Sequence, residues 1–165
     1  MKRANGFTIV ELLIVIVVIA ILATISIIGY NGIQDRVHDS AVQSDAANIA
    51  KKIEIMKIDD GAYPVSQYDF PSDVHISKGS YSTAYNNVMY CLNKNTDQYA
   101  LGLISKSGKG WVVVSGDVQS ASPTNIYATA CNAVGATWAN DTNSAAIHGY
   151  NVGSGVWNGS WSLTN

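Results

Sequence analysis

The residues of this chain that could do chemistry are few and poorly placed for catalysis. His38, His75 and His148 are far apart, and none stands beside a Cys or a second His at metal-ligand spacing. His38 lies near Asp35 and Asp39 on a helical stretch, where such side chains form a solvated face more readily than a ligand set. No G-x-S-x-G nucleophile elbow and no P-loop occur, and Gly153-Ser154-Gly155 lacks the helix start that phosphate binding needs. Asp117, Asp141 and Asn143 could offer oxygens to calcium but show no ligand register. The chain is therefore expected not to be an enzyme and to need no cofactor or metal.

Two features remain. The first is Glu11, a lone carboxylate at the head of an apolar run. From Leu12 to Ile28 there is no charged residue, and only Thr24 and Ser26 are polar. With Phe7 to Val10 added, the run is long enough to cross a bilayer as a helix. A carboxylate at such a position is costly and marks a functional site by default. It needs a positive partner. Removal of the residues before Phe7 would expose an α-amino group that a neighbouring copy could offer to Glu11. The bland alternative is that Glu11 snorkels to headgroup depth.

The second feature is the pair Cys91 and Cys131, both on the polar side of the apolar run. In an oxidising compartment one disulfide is the natural reading, and two buried free thiols are the alternative. Closing a loop of roughly 40 residues would contribute about 3–4 kcal/mol in the chain-entropy model.

These features need elements to hold them. Lys2 and Arg3 precede the apolar run, and the first charges beyond it are Asp35 and Arg36, which favours a cytoplasmic N-terminus and an outward body. An ordinary signal peptide would have a shorter core and a small-x-small site, whereas Ala23-Thr24-Ile25 offers none. A lipoprotein signal fails for want of a cysteine near the end of the run.

The stretch GFTIVELLIVIVVIAILATI, preceded by a short basic leader, resembles the class III signal of type IV prepilins and pseudopilins. The resemblance is close from Gly6 to about Ile28. It implies cleavage between Gly6 and Phe7 by a prepilin peptidase, N-methylation of Phe7, and a role for Glu11 in subunit recruitment and register. Many family members carry a proline where this chain has Ile28. Gly29 and Gly32 stand nearby instead, and each weakens a helix interior by about 1 kcal/mol relative to Ala. Any bend or local melting is expected there.

Beyond Tyr30, Ile33, Val37, Ala41, Ala46, Ile49, Ile53 and Met56 recur near one helical stripe, with Asp35, Arg36, Asp39, Asp45, Lys51 and Lys52 mainly off it. Asp59-Asp60-Gly61 and Pro64 give the stop. A helix from Phe7 to Asp59 would be roughly 80 Å long. Gly61-Ala62-Tyr63-Pro64 is similar to the Gly-x-Tyr-Pro turn of many pilins and pseudopilins. Residues 65–95 read as a connecting loop with short elements. Asp97–Ser105 and Trp111–Val118 read as an antiparallel hairpin. The rest, with Trp138, Tyr150, Trp157 and Trp161, is too rich in Gly, Ser and Asn for helix and reads as short strands and ordered loops. Two sequons, at Asn140 and Asn158, are of the kind that arises by chance in such a composition.

The expected architecture is α+β and type IV pilin-like: a leader (1–6), an apolar transmembrane and assembly half-helix (7–30), an amphipathic half (31–59) and a head (60–165) whose small antiparallel sheet receives the helix. Only 13% of residues are charged and the net charge is −2, which excludes a basic nucleic-acid surface. The resemblance implies a subunit of a type IV pilus for adhesion, motility or DNA uptake. A pseudopilin of a secretion or competence machine is the alternative, and a single-pass anchored enzyme or binding module the more distant one. Implied partners are copies of itself, other pilins, the prepilin peptidase, the membrane before assembly, and an assembly platform with its ATPases indirectly. DNA would be met only through the filament. The resemblance places the chain in the cell membrane first and in an extracellular filament afterwards.

Overall fold

The computed structural model describes residues 6–70, 74–138, 142–151, 153–157 and 162–164. Leader residues 1–5, Asp141, Trp161, and the asparagines of both sequons lie outside these.

Helix α1 runs from Ile9 to Asp60 and belongs to two compact units, residues 1–35 and 36–165. Helical structure continues through Gly29 and Gly32. In the first unit the apolar side chains from Ile9 to Ile27 are all exposed. A helix that is apolar all round finds no burial in its own chain.

In the second unit α1 buries Val42, Ala46, Ile49, Ala50 and Ile53. Their spacing makes one stripe, and full burial of each branched member contributes about 2 kcal/mol. The stripe differs from the expected one at its edges. Ile33 and Val37 are exposed, whereas Asp39 and Asp45, expected off the stripe, are buried and hydrogen-bonded. Hydrogen-bond partners distant in sequence accompany this, and periodicity does not register them. The helix ends at Asp60, and the turn that follows is packed as its residue types require. The Tyr63 ring lies 5.0 Å from that of Tyr99, Lys57 sits over Tyr63, and the Tyr90 hydroxyl donates to the Pro64 carbonyl at 3.0 Å.

The remaining elements are β1 (His75–Ser77), β2 (Val88–Asn93), β3 (Gln98–Ile104), β4 (Gly110–Val114), β5 (Asp117–Ala121), α2 (Ile126–Ala133), β6 (Ser144–His148), β7 (Tyr150–Asn151), β8 (Val156–Trp157) and β9 (Ser162–Thr164). A five-stranded antiparallel sheet has the order β5-β4-β3-β2-β6, while β1 pairs with β9 in parallel and β7 with β8 in antiparallel fashion. The long amphipathic helix on an antiparallel sheet is the expected α+β, pilin-like fold.

Three local expectations were off. The stretch 65–95 was expected to be a connecting loop with short elements, yet within it Val88–Asn93 is a full strand of the main sheet, paired to β3 and β6 and buried at every position. Burial on both faces removes the alternation that marks a half-exposed strand. The strand expected to run from Trp111 to Val118 is instead two strands, β4 and β5. It reverses at Ser115-Gly116, where both residues have positive φ (48° and 90°), the geometry of a tight hairpin turn. Finally, α2 occupies a region read as strand and loop.

The sheet has two covered faces. Tyr90 and Leu92 of β2, Tyr99, Leu101 and Leu103 of β3, and Trp111 and Val113 of β4 share a core with the α1 stripe. Met89, Cys91, Ala100, Ile104 and Val112 point the other way, into a second core with Ile126, Ala130 and Cys131 of α2. Close approach of α2 depends on Gly102. A Cβ there would lie 2.9 Å from the Ile126 carbonyl oxygen and 3.0 Å from the Ala130 Cβ. Cys91 and Cys131 are joined by a disulfide, which ties a strand at the centre of the sheet to this helix.

Candidate assembly site

The site begins at Gly6, whose surroundings are open, and at Phe7, which is 86% exposed. The Gly6–Phe7 bond therefore precedes the first helical residue by two positions, in non-helical backbone. Thr8 caps α1. The Glu11 amide donates to Thr8 Oγ1 at 3.2 Å, and Glu11 Oε2 accepts from the Thr8 amide at 2.8 Å and the Thr8 hydroxyl at 2.7 Å. This reciprocal pair satisfies donors that a helix start otherwise leaves orphaned. Glu11 is thus held in one orientation by its own chain. The T-x-x-E spacing ahead of an apolar run carried this signal in the sequence, and a reading centred on the carboxylate alone passes over the role of Thr8.

The polar groups inside the apolar helix are satisfied in the same local way. Thr24 donates to the Ala20 carbonyl at 2.6 Å and Ser26 to that of Leu22 at 2.9 Å. The segment between Glu11 and Gly29 therefore offers neighbours or lipid an apolar surface without unpaired hydroxyls. Gly29 and Gly32 follow within the same helix.

In the second unit, Asp39 of α1 is buried and holds the β3–β4 turn. It accepts from Ser105 Oγ at 2.7 Å, from Lys109 Nζ at 2.7 Å and from Ser107 Oγ at 2.5 Å. Burial alone would raise the Asp39 pKa. The hydrogen bonds from Lys109, Ser107 and Ser105 outweigh it and hold the carboxyl below its ordinary value. Asp45 accepts from the Ser77 amide at 2.7 Å, yet burial dominates there and pushes its pKa up. Sequence reasoning missed both roles, because their partners are 32 or more residues away.

The other polar candidates do not converge. The His38 ring lies 3.4 Å from Ser80 Oγ, His75 starts β1, and His148 ends β6, where burial lowers its pKa. Asp117 is on β5 and Asn143 precedes β6, at opposite edges of the sheet. Among the described residues no three His, Cys, Asp or Glu side chains come together as a metal site.

Residues 1–27 match the family model of the prokaryotic N-terminal methylation motif. The chain is similar to the type IV wide pilus major component PilA4 of Thermus thermophilus, with 31% identity over 71% of this chain and 86% of that protein. It is also similar to the type IV narrow pilus major component PilA5 of the same organism, with 28% identity over 65% of this chain and 91% of that protein. The type II secretion system core protein G of Klebsiella pneumoniae is 28% identical over 41% of this chain and 48% of its own length. No solved structure gives a significant match. The chain belongs to the type IV pilin family, which includes pilus components and secretion pseudopilins. These relatives are structural proteins.

Proposed function

We propose that this chain is a building block of a type IV pilus, processed between Gly6 and Phe7 and methylated on Phe7 by a prepilin peptidase. The observation that supports it most is the junction itself. An exposed, non-helical Gly6–Phe7 bond lies next to a Thr8-held Glu11 at the head of a wholly exposed apolar helix. Before processing, the helix sits in the membrane with its basic end inside. Cleavage then frees the Phe7 amine. In the filament, residues 12–28 pack on like segments instead of lipid, and Glu11 meets a neighbour's amine in a medium of low dielectric, where that attraction is strong. Gly29 and Gly32 are where the helix bends to fit. The assembly platform and its ATPases supply the work from the cytoplasmic side, and the head faces outward. Its oxidising surroundings suit the Cys91–Cys131 disulfide.

A pilus is favoured over a secretion pseudopilus by coverage. Similarity to the two pilus components extends through most of the chain, whereas that to the secretion protein stops at about half of either partner. Intact mass of the assembled protein tests the processing: residues 1–6 should be absent and one methyl added, and an uncleaved N-terminus in filaments would refute it. Glu11→Ala should abolish or strongly reduce filaments while membrane insertion persists; normal filament yield contradicts the pairing with the amine.

A further inference from the structure

The head carries a groove of about 700 Å³ that filament assembly leaves unexplained. It is bounded by the segment before β1, by β6 and by the β7–β8 hairpin, and its walls include Tyr68, Trp138 and Trp157. Tyr68 is 84% and Trp138 66% exposed, an unfavourable position in water for two large ring faces. Trp157 is held in place beneath, its ring 5.5 Å from Tyr150 and 6.0 Å from Tyr81. Uncharged hydrogen-bonding groups also line the groove. The Oδ1 of Asn151 accepts from the amides of Gly153 (2.8 Å) and Ser154 (3.2 Å), which leaves its NH2 as the end to offer a ligand.

No Asp, Glu, Lys or Arg is among the described residues that line the groove, and burial lowers the pKa of His148, so the described lining is neutral at neutral pH. A ligand matched to it must present flat apolar faces to the rings and an uncharged acceptor to the Asn151 NH2. A pyranose does both: its axial C–H face stacks on an aromatic ring while its equatorial hydroxyls point outward. An anionic ligand would meet no counter-charge among the described residues, and a purely apolar one would offer nothing to the Asn151 NH2.

We infer that the Tyr68–Trp138–Trp157 groove binds neutral glycans. The inference does not depend on filament formation, because it concerns the head alone. It is tested on the detergent-solubilised full chain by calorimetric titration with neutral tetrasaccharides of glucose, mannose, galactose and N-acetylglucosamine, and with a heparin tetrasaccharide as the anionic counterpart. At least one neutral sugar should bind saturably, with a dissociation constant of about 1 mM or below. Tyr68→Ala and Trp138→Ala, both at exposed positions, should each weaken it about tenfold, or about 1.4 kcal/mol. Tyr85→Ala, at an exposed aromatic outside the groove, should leave it unchanged, and near-ultraviolet circular dichroism checks that each variant is folded. Absence of binding by every neutral sugar, tighter binding of heparin, or wild-type affinity in both groove variants would overturn the inference. So would loss of self-association in those variants without any sugar binding, which would assign the groove to a second copy of the chain. A filament-negative chain that binds sugar would contradict only the proposed function.

Discussion

Opening the Cys91–Cys131 bond should release α2 from the sheet before it unfolds the head. The two cysteines are 40 residues apart. The chain-entropy relation for a loop of that length gives about 4 kcal/mol at 25 °C, a large part of the stability of any single domain. The loss should fall unevenly. Helix α2 has eight residues, and its N-cap residue, Asn125, has a left-handed backbone (φ 57°) and no capping side-chain bond. A helix that short is marginal without tertiary support. Its other support is the packing of Ile126 and Ala130 against β3 at Gly102. The assay compares oxidised and dithiothreitol-reduced full chain in detergent, alongside the Cys91→Ala/Cys131→Ala double variant. The reduced wild type keeps both sulfurs and so isolates the cross-link from lost packing. Thermal unfolding should shift down by roughly 10–15 °C, and amide exchange should accelerate first in residues 126–133. A reduced chain within about 1 kcal/mol of the oxidised one, with α2 amides equally protected, would refute the reasoning.

Asp39→Ala should cost about 2–3 kcal/mol at pH 7, because the buried Ser105 hydroxyl loses its charged acceptor. Since the folded-state pKa of Asp39 is lowered, its contribution is complete above the unfolded pKa and fades as pH falls through the folded value. The gap between wild type and variant in chemical denaturation should therefore narrow below about pH 4. Asp45 acts in the opposite sense, its raised pKa making its protonation favour the fold at low pH, so the comparison must be made between variants at each pH. Gly102→Ala should destabilise by about 1–3 kcal/mol, because the added methyl meets backbone that cannot move aside. Denaturant midpoints measure this, and a neutral result would mean that α2 sits farther from β3 than described.

The parts of the fold that were legible are those whose signal is local. The apolar run and the Gly-x-Tyr-Pro stop could be read because each depends on neighbours within a few residues. The Glu11 site was legible as an anomaly in charge, and its capping by Thr8 was written three residues away. What escaped depends on contacts distant in sequence. Val88–Asn93 is hidden as a strand because α1 and α2 cover its two faces, and α2 packs against β3 because a glycine 24 residues earlier gives it room. The burial of Asp39 required Ser105, Ser107 and Lys109 to arrive from a turn that helical periodicity cannot foresee.

The two units of this chain also differ in what dilution does to them. The second unit, residues 36–165, closes its core with its own residues, so its equilibrium between folded and unfolded is the same in one copy as in a thousand. The apolar side chains from Ile9 to Ile27 have no such internal partner. Their burial is a binding reaction, governed by the local concentration of lipid or of like segments. The burial of this segment is thus a property of the solution rather than of the chain. Measurements on single copies report only on the second unit.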